Sequence, residues 1–344
     1  MIDLKSLTME ELRELVASLG EKPFRAAQIF KWVYRGAEID EMSDLSKDLR
    51  ERLGECAYVG NITVERCQIS KRDGTRKYLF RLEDGNFIES VFMRYNHGNT
   101  ICVSSQAGCA MGCKFCASAI GGLARSLTPS EIIDQVMKTE RDTGEKISNI
   151  VMMGIGEPLA NFDNVIKFLK NVNDENGLNI GYRHISLSTC GLADKIRELA
   201  EVNIPITLSV SLHSPFDEKR SQLMPVNKRF GIAELVCSLK YYLEKTGRRI
   251  SIEYAMIAGE NDSAECANEL IRLFSDMLCH VNLIPVNTVR ETGYRRADAA
   301  SIEKFKNRLE RHGITTTVRR SLGSDIDAAC GQLRKSRMEE GSEG

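Results

Sequence analysis

The chain has 344 residues, 42% of them hydrophobic and 28% charged, and its 47 basic side chains nearly cancel 48 acidic ones. That length accommodates about two domains with full cores, and the balance excludes a disordered chain and a uniformly basic nucleic-acid coat. No apolar run approaches the roughly 20 residues of a membrane span, and Met1-Ile2-Asp3-Leu4 lacks a signal-peptide profile, so a cytoplasmic protein without membrane contact is expected.

In chain order, Thr8 and Glu11 make a capping-box pattern ahead of Leu12, Leu15, Val16 and Leu19, and Gly20 ends that helix. Pro23 opens a second helix carrying Phe24, Phe30, Val33 and Tyr34. Leu45, Leu49 and Leu53 mark a third. The period then drops to two. Residues 62–64, 78–80 and 87–93 read as strands, with Asp73-Gly74 and Asp84-Gly85 as turns. Residues 1–94 are expected to form a helical accessory domain with a small β-meander. Beyond it, strands at 100–104, 147–153, 184–188, 206–211, 250–256, 281–284 and 315–318 alternate with amphipathic stretches such as 130–138 and 164–171. This alternation predicts an α/β domain over 95–332, its parallel sheet curled like a barrel and its chemistry at the strands' carboxyl ends. Residues 333–344 are a charged tail, expected to be flexible.

The 11 cysteines are too few for a disulfide scaffold, and an odd number cannot all pair. Three of them, Cys109, Cys113 and Cys116, follow a strand in a loop containing Gly108 and Gly112. Thiolates suit iron, and zinc wants a fourth ligand that no neighbouring Cys or His supplies at suitable spacing. Three cysteines on a four-iron cluster leave one iron open to a small ligand, and Phe115 can shield the cluster from water. Gly154-Ile155-Gly156-Glu157 also follows an apolar strand. Its glycines permit close approach to a ligand, and Glu157 can meet an ammonium group.

The cysteine spacing, with an aromatic residue before the third cysteine, resembles the radical S-adenosylmethionine (SAM) superfamily, and the glycine motif resembles its methionine-binding segment. The likeness narrows with Cys102-Val-Ser-Ser-Gln-Ala-Gly-Cys109, Met153-Gly-Ile-Gly-Glu-Pro-Leu-Ala-Asn161, Ser209-Val-Ser-Leu-His-Ser-Pro215 and Asp325-Ile-Asp-Ala-Ala-Cys-Gly-Gln332. Together these resemble the RlmN/Cfr family of radical-SAM methyltransferases, which act on an adenine of 23S rRNA. The resemblance implies a partial TIM-type (βα)6 barrel holding one 4Fe–4S cluster on Cys109, Cys113 and Cys116. It implies SAM contacts at Gly156, Glu157, Ser188, Ser211, Leu212, His213 and Asn287. Cys330 would carry the methyl group, Cys102 would resolve it through a transient disulfide, and Glu89 would accept the ring proton. A carrier is chemically reasonable, because an aromatic C–H cannot attack a sulfonium methyl, whereas a thiolate can. Cys56, Cys67, Cys190, Cys237, Cys266 and Cys279 are left as structural.

Pro158, Pro285 before Val286-Asn287, and Ala107 resemble the RlmN branch. That branch implies methylation at carbon 2 of adenosine 2503, and of adenosine 37 in certain tRNAs, through S-methylated Cys330 with two SAM per turnover. A Cfr-like carbon 8 enzyme is the alternative within the family, and a non-catalytic metal-bearing RNA-binding protein is the alternative outside it. The expected partners are 23S rRNA, tRNA and an electron donor such as flavodoxin or ferredoxin, with the enzyme a monomer. The target base has to be extruded from folded RNA. Candidate phosphate contacts are Arg66, Lys71, Arg72, Arg76, Lys77 and Arg81 on the first hairpin, with Arg295-Arg296 and Arg319-Arg320, and Trp32 is a further candidate.

Overall fold

A computed structural model describes residues 1–286, 294–320, 322–323 and 325–326. After a short strand at Ile2–Asp3, paired in parallel with Ala57–Tyr58, come α1 (Met9–Ser18), α2 (Phe24–Arg35) and α3 (Lys47–Cys56). The expected capping box forms: Glu11 N donates to Thr8 Oγ1 at 3.3 Å, and Thr8 N donates to Glu11 Oε2 at 2.9 Å. Leu12, Val16, Ile29, Phe30 and Val33 bury the inner faces of α1 and α2, and Phe30 stacks on Tyr34 at 4.4 Å. These side chains share one hydrophobic core with the rest of the protein.

Ten strands then build one sheet: β1 (Thr63–Ile69), β2 (Arg76–Arg81), β3 (Phe87–Tyr95), β4 (Gly98–Cys102), β5 (Asn149–Met152), β6 (Ile185–Thr189), β7 (Thr207–Ser211), β8 (Ile250–Met256), β9 (Cys279–Pro285) and β10 (Thr315–Val318). Their order in space is their order in the chain. β1 to β4 run antiparallel, and β4 to β10 run parallel. The parallel strands are joined in turn by α4 (Pro129–Thr143), α5 (Phe162–Asn173), α6 (Ala193–Val202), α7 (Asp217–Leu223) with α8 (Ile232–Thr246), α9 (Ala264–Phe274) and α10 (Ala299–Arg311). Six strand–helix units and a closing strand result. Among the described residues no ladder joins β10 to β1, so the sheet stays open. The meander is the antiparallel flank of this same sheet, and the boundary expected after residue 94 falls inside the β3–β4 hairpin, where Tyr95 pairs with Gly98.

Strand alternation gives the sheet two different faces. Ile101, Ile150, Leu187, Leu208, Ile252, Val281 and Leu283 are fully buried in the core shared with the helices. The opposite face is largely polar. Ser188 pairs with Ser209, Ser209 with Ser251, Ser251 with His280, and His280 with Thr315. One step toward the carboxyl ends, Ser211, Glu253, Asn282 and Thr317 make a second row. A polar row inside a barrel-type sheet is poor core and a good lining for a polar ligand.

The N-terminal segment is tied to this body by a buried ion pair. Lys5 Nζ lies 2.5 Å from Asp134 Oδ1 on α4, with both side chains under 5% exposed, and it also donates to Gly60 O at 2.6 Å. Burial pushes the Asp134 carboxyl upward, and Lys5 opposes that shift. Removing one partner strands the other charge in the core, at a cost of about 3–5 kcal/mol. Lys5→Met should therefore lower the urea midpoint sharply, and adding Asp134→Leu should recover most of the loss; a single variant as stable as wild type contradicts this.

Candidate active site

The strand Gln106–Gly108 pairs antiparallel with Leu123–Ser126, and together they frame the cysteine loop. Cys109 N donates to Gly122 O at 3.0 Å, and Cys116 N to Cys113 O at 3.1 Å. Lys114 N donates to Leu223 O at 2.9 Å, pinning the loop to α7. Phe115 meets the His213 ring edge-on at 4.7 Å, which brings the cysteine loop to the end of β7. Burial pushes the Cys109 thiol up to about 11 and the Cys113 thiol up to about 12, and the neighbouring thiols add to both shifts.

Three thiolates gathered this way repel one another, and a cationic metal core reverses that balance. Among the described residues, no trio of His, Cys, Asp or Glu side chains closes on a single ion. In a four-iron cluster each cysteine takes a different iron, so separated thiols fit a cluster better than one zinc.

The loop after β5 packs tightly on the loop after β4. A Cβ at Gly154 would lie 2.7 Å from the Val103 carbonyl, and one at Gly156 (φ 107°) would lie 2.6 Å from Gln106 Cβ. Only glycine fits either position. Gln106 Oε1 accepts from Glu157 N at 2.9 Å, fixing the contact. Glu157 is buried, and its carboxylate accepts from Leu159 N at 3.0 Å and Cys190 N at 2.7 Å. It therefore joins the ends of β5 and β6; burial pushes its carboxyl upward, and these donors oppose the shift.

Ser188 lies in the polar row of β6, and Ser211 ends β7. Leu212 N donates to Glu253 O at 3.0 Å. His213 is buried with φ 57°. Its Nδ1 accepts from Ala255 N at 2.9 Å, which leaves a proton on Nε2. Burial, reinforced by the Arg220 charge, pushes His213 down to about 3. Asn287 and Cys330 lie outside the described residues.

Glu89 departs from the solvent-facing position usual on an alternating strand. It is 3% exposed, and its carboxylate lies 3.0 Å from Nζ of Lys77, which is 0% exposed. Alternation explains both. Lys77 pairs with Val91, Val91 with Cys102, and Cys102 with Val151, so these four share a face. Glu89, two residues from Val91, shares it too. Val91, Met93 and Cys102 form a small apolar cluster there, with Leu322 packed against it. The neighbouring residues dock on the turn between β1 and β2. Gly323 N donates to Asp73 Oδ2 at 2.8 Å, and Asp325 accepts from the Ser70 hydroxyl at 2.6 Å and from Lys71 N at 2.9 Å.

Lys77 thus leaves the set of candidate RNA contacts, because its strand position turns it inward. Arg76 lies 2.7 Å from Asp142, whereas Arg66, Lys71, Arg72 and Arg81 sit on the exposed surface. Trp32 donates to Asp44 Oδ1 at 2.6 Å. The inward pairing of Lys77 had a faint signal, a lysine beside an apolar run two strands from Cys102. Arg220 had none: in Asp217-Glu218-Lys219-Arg220 it reads as one more solvated charge, yet it is fully buried.

Residues 103–274 match the model of the radical SAM superfamily, and residues 2–59 match the ribosomal RNA large subunit methyltransferase N-terminal domain. The crystal structure of a radical SAM methyltransferase from Sphaerobacter thermophilus superposes with a TM-score of 0.90 at 43% identity, covering 96% of this chain and 99% of that one. Fold and cysteine loop together define a radical-SAM protein. A relative from Alkaliphilus oremlandii named "Probable dual-specificity RNA methyltransferase RlmN" is 57% identical over 98% of this chain and 99% of its own length. The relative of that name from Clostridioides difficile is 52% identical over 97% of this chain and 98% of its own. The chain belongs to the RlmN family of radical-SAM RNA methyltransferases.

The His213 shift has a measurable consequence. The unfolded chain takes up a proton below about pH 6.5, whereas folded His213 resists until about 3. Its stability contribution is therefore complete above about pH 6.5 and is lost as pH falls toward 3. His213→Asn keeps an acceptor for Ala255 N and tolerates the backbone conformation. Its urea midpoint should fall less steeply than that of wild type between pH 7 and pH 4, and equal slopes contradict the assignment.

Proposed function

We propose that the chain methylates carbon 2 of an adenine in two RNA substrates, adenosine 2503 of 23S rRNA and adenosine 37 of certain tRNAs. The observation that carries this reading is the shared sheet face holding Glu89, Lys77 and Cys102, with Leu322, eight residues before Cys330 in the sequence, packed on the Cys102 cluster. A binding protein needs no buried carboxylate beside a buried thiol at such a place. The relatives' "dual-specificity" designation supports two substrates.

Cys109, Cys113 and Cys116 would hold the cluster, which when bound supplies the electron that cleaves SAM and so opens a C–H bond to radical chemistry. Gly154 and Gly156 let the loop after β5 approach the ligand, and Glu157 fixes that loop against β6. Ser188, Ser211 and the Nε2–H of His213 offer the ligand's ribose and adenine hydrogen-bonding groups at the strand ends. Neutral His213 brings no competing positive charge to a sulfonium ligand.

Cys330 takes the methyl group by displacement at the sulfonium, would give up one methyl hydrogen to the radical derived from SAM, and bonds the methylene carbon so formed to the ring carbon of the base. Glu89, paired with Lys77, receives the proton leaving the ring carbon. Cys102, as a thiolate, then attacks the Cys330 sulfur; the carbon–sulfur bond breaks, the carbon takes up a proton to become the methyl group, the one electron left over would return to the cluster, and a disulfide remains for a cellular thiol reductant to reopen. Exposed Arg66, Lys71, Arg72 and Arg81 would contact phosphates near the turn where the C-terminal segment docks.

The test is anaerobic reconstitution followed by methyl transfer from labelled SAM. Cys330→Ala should abolish label in both protein and RNA. Cys102→Ala should accumulate protein covalently joined to RNA, visible as a shifted band on a denaturing gel; free, fully methylated RNA from that variant removes Cys102 from the mechanism.

A further inference from the structure

Arg220 on α7 is 0% exposed, and it is the largest fully buried side chain among the described residues. Its Nε donates to Leu212 O at 3.2 Å, and its Nη1 to Asn227 Oδ1 at 2.8 Å. Its Nη2 donates to Cys190 O at 2.8 Å and Ser211 O at 3.2 Å. Every acceptor is neutral. Asp217, on the same helix, directs its carboxylate to Asn227 Nδ2 and Ile232 N, each at 2.9 Å. A guanidinium keeps its charge in a protein, and a buried charge without a counter-ion costs several kcal/mol. Carbonyl oxygens satisfy its hydrogens but supply no opposite charge, and Asp217 acts on that charge from beyond Asn227, which bridges the two side chains.

The missing charge has an evident place. The helix carrying Arg220 holds the cysteine loop directly, through Lys114 N on Leu223 O at 2.9 Å. On that loop's other limb, a Cβ at Gly112 would touch Pro225 at 3.6 Å. Arg220 also binds the carbonyls that end β6 and β7, the strands whose ends face the loop through the Phe115–His213 contact.

We infer that Arg220 is the counter-charge of the iron–sulfur cluster, an inference resting on the ligand role proposed above for Cys109, Cys113 and Cys116. Three thiolates outweigh the charge of an oxidised four-iron, four-sulfide core, and one-electron reduction adds to the excess. A fixed cation nearby lowers the free energy of both states and lowers that of the reduced state more, so it raises the reduction potential. Arg220 touches no reacting atom; it sets the potential at which an electron donor can load the cluster.

The experiment is an anaerobic redox titration, followed by electron paramagnetic resonance, of reconstituted wild type, Arg220→Gln and Arg220→Lys. Iron and sulfide analysis comes first: a wild type that takes up no four-iron cluster overturns the ligand assignment itself. With clusters present, the glutamine variant should titrate at a lower potential than wild type, and the lysine variant close to wild type. An unchanged potential in Arg220→Gln, or an equal fall in both variants, overturns the inference while leaving the ligand assignment intact. If circular dichroism finds the glutamine variant unfolded, Arg220→Met is titrated in its place: a lowered potential supports the counter-charge, and an unchanged one overturns it.

Discussion

Residues paired across neighbouring strands share a sheet face, and this one constraint arranges most of the site. Because the antiparallel flank and the parallel strands are a single sheet, one row runs from Lys77 through Val91 and Cys102 to Val151 and on to Ser186 and Thr207. The two polar rows of β6 to β10 lie on that same face. Groups that are remote in sequence thereby line one surface: the buried Lys77–Glu89 pair, the Cys102 thiol, and the serines beside the cysteine loop. Shifting the β3–β4 register by one residue would put Glu89 and Cys102 on opposite faces of the sheet.

The buried charges distinguish scaffold from site. Lys5 and Asp134 neutralise each other where the N-terminal segment meets α4. Lys77 and Glu89 are equally well matched, but they sit beside Cys102 and the docked C-terminal segment. Arg220 donates only to carbonyl oxygens, with Asp217 acting on its charge from beyond Asn227, and it lies against the loop that carries the cysteines. Burying charge without compensation is costly, so its occurrence at the loop and nowhere in the scaffold pair marks where a further charge belongs.

Much of this was legible in the residues. The seven parallel strands follow from apolar runs bounded by helical spacing, and each expected segment overlaps a strand of the sheet. The loop of Cys109, Cys113 and Cys116 and the Gly154–Glu157 turn were marked by residue types that make poor core. Sheet continuity across residue 94 was not legible, because a hairpin and a domain linker look alike when only local turn signals are read. The sequence offers Lys77 as a candidate phosphate contact and gives no sign of Arg220; burial of a charged side chain is decided by strand pairing and helix packing that no local pattern encodes. Glu89 was found by family likeness, and its buried partner only by the fold.

The central claim is that this surface delivers a methylene carbon to carbon 2 of an adenine. The most direct measurement is digestion of 23S rRNA, methylated by the reconstituted enzyme, to nucleosides, with 2-methyladenosine resolved from 8-methyladenosine by chromatography and mass spectrometry. The account predicts 2-methyladenosine as the product. Mainly 8-methyladenosine, or no methylated adenosine from an enzyme that cleaves SAM, would contradict it.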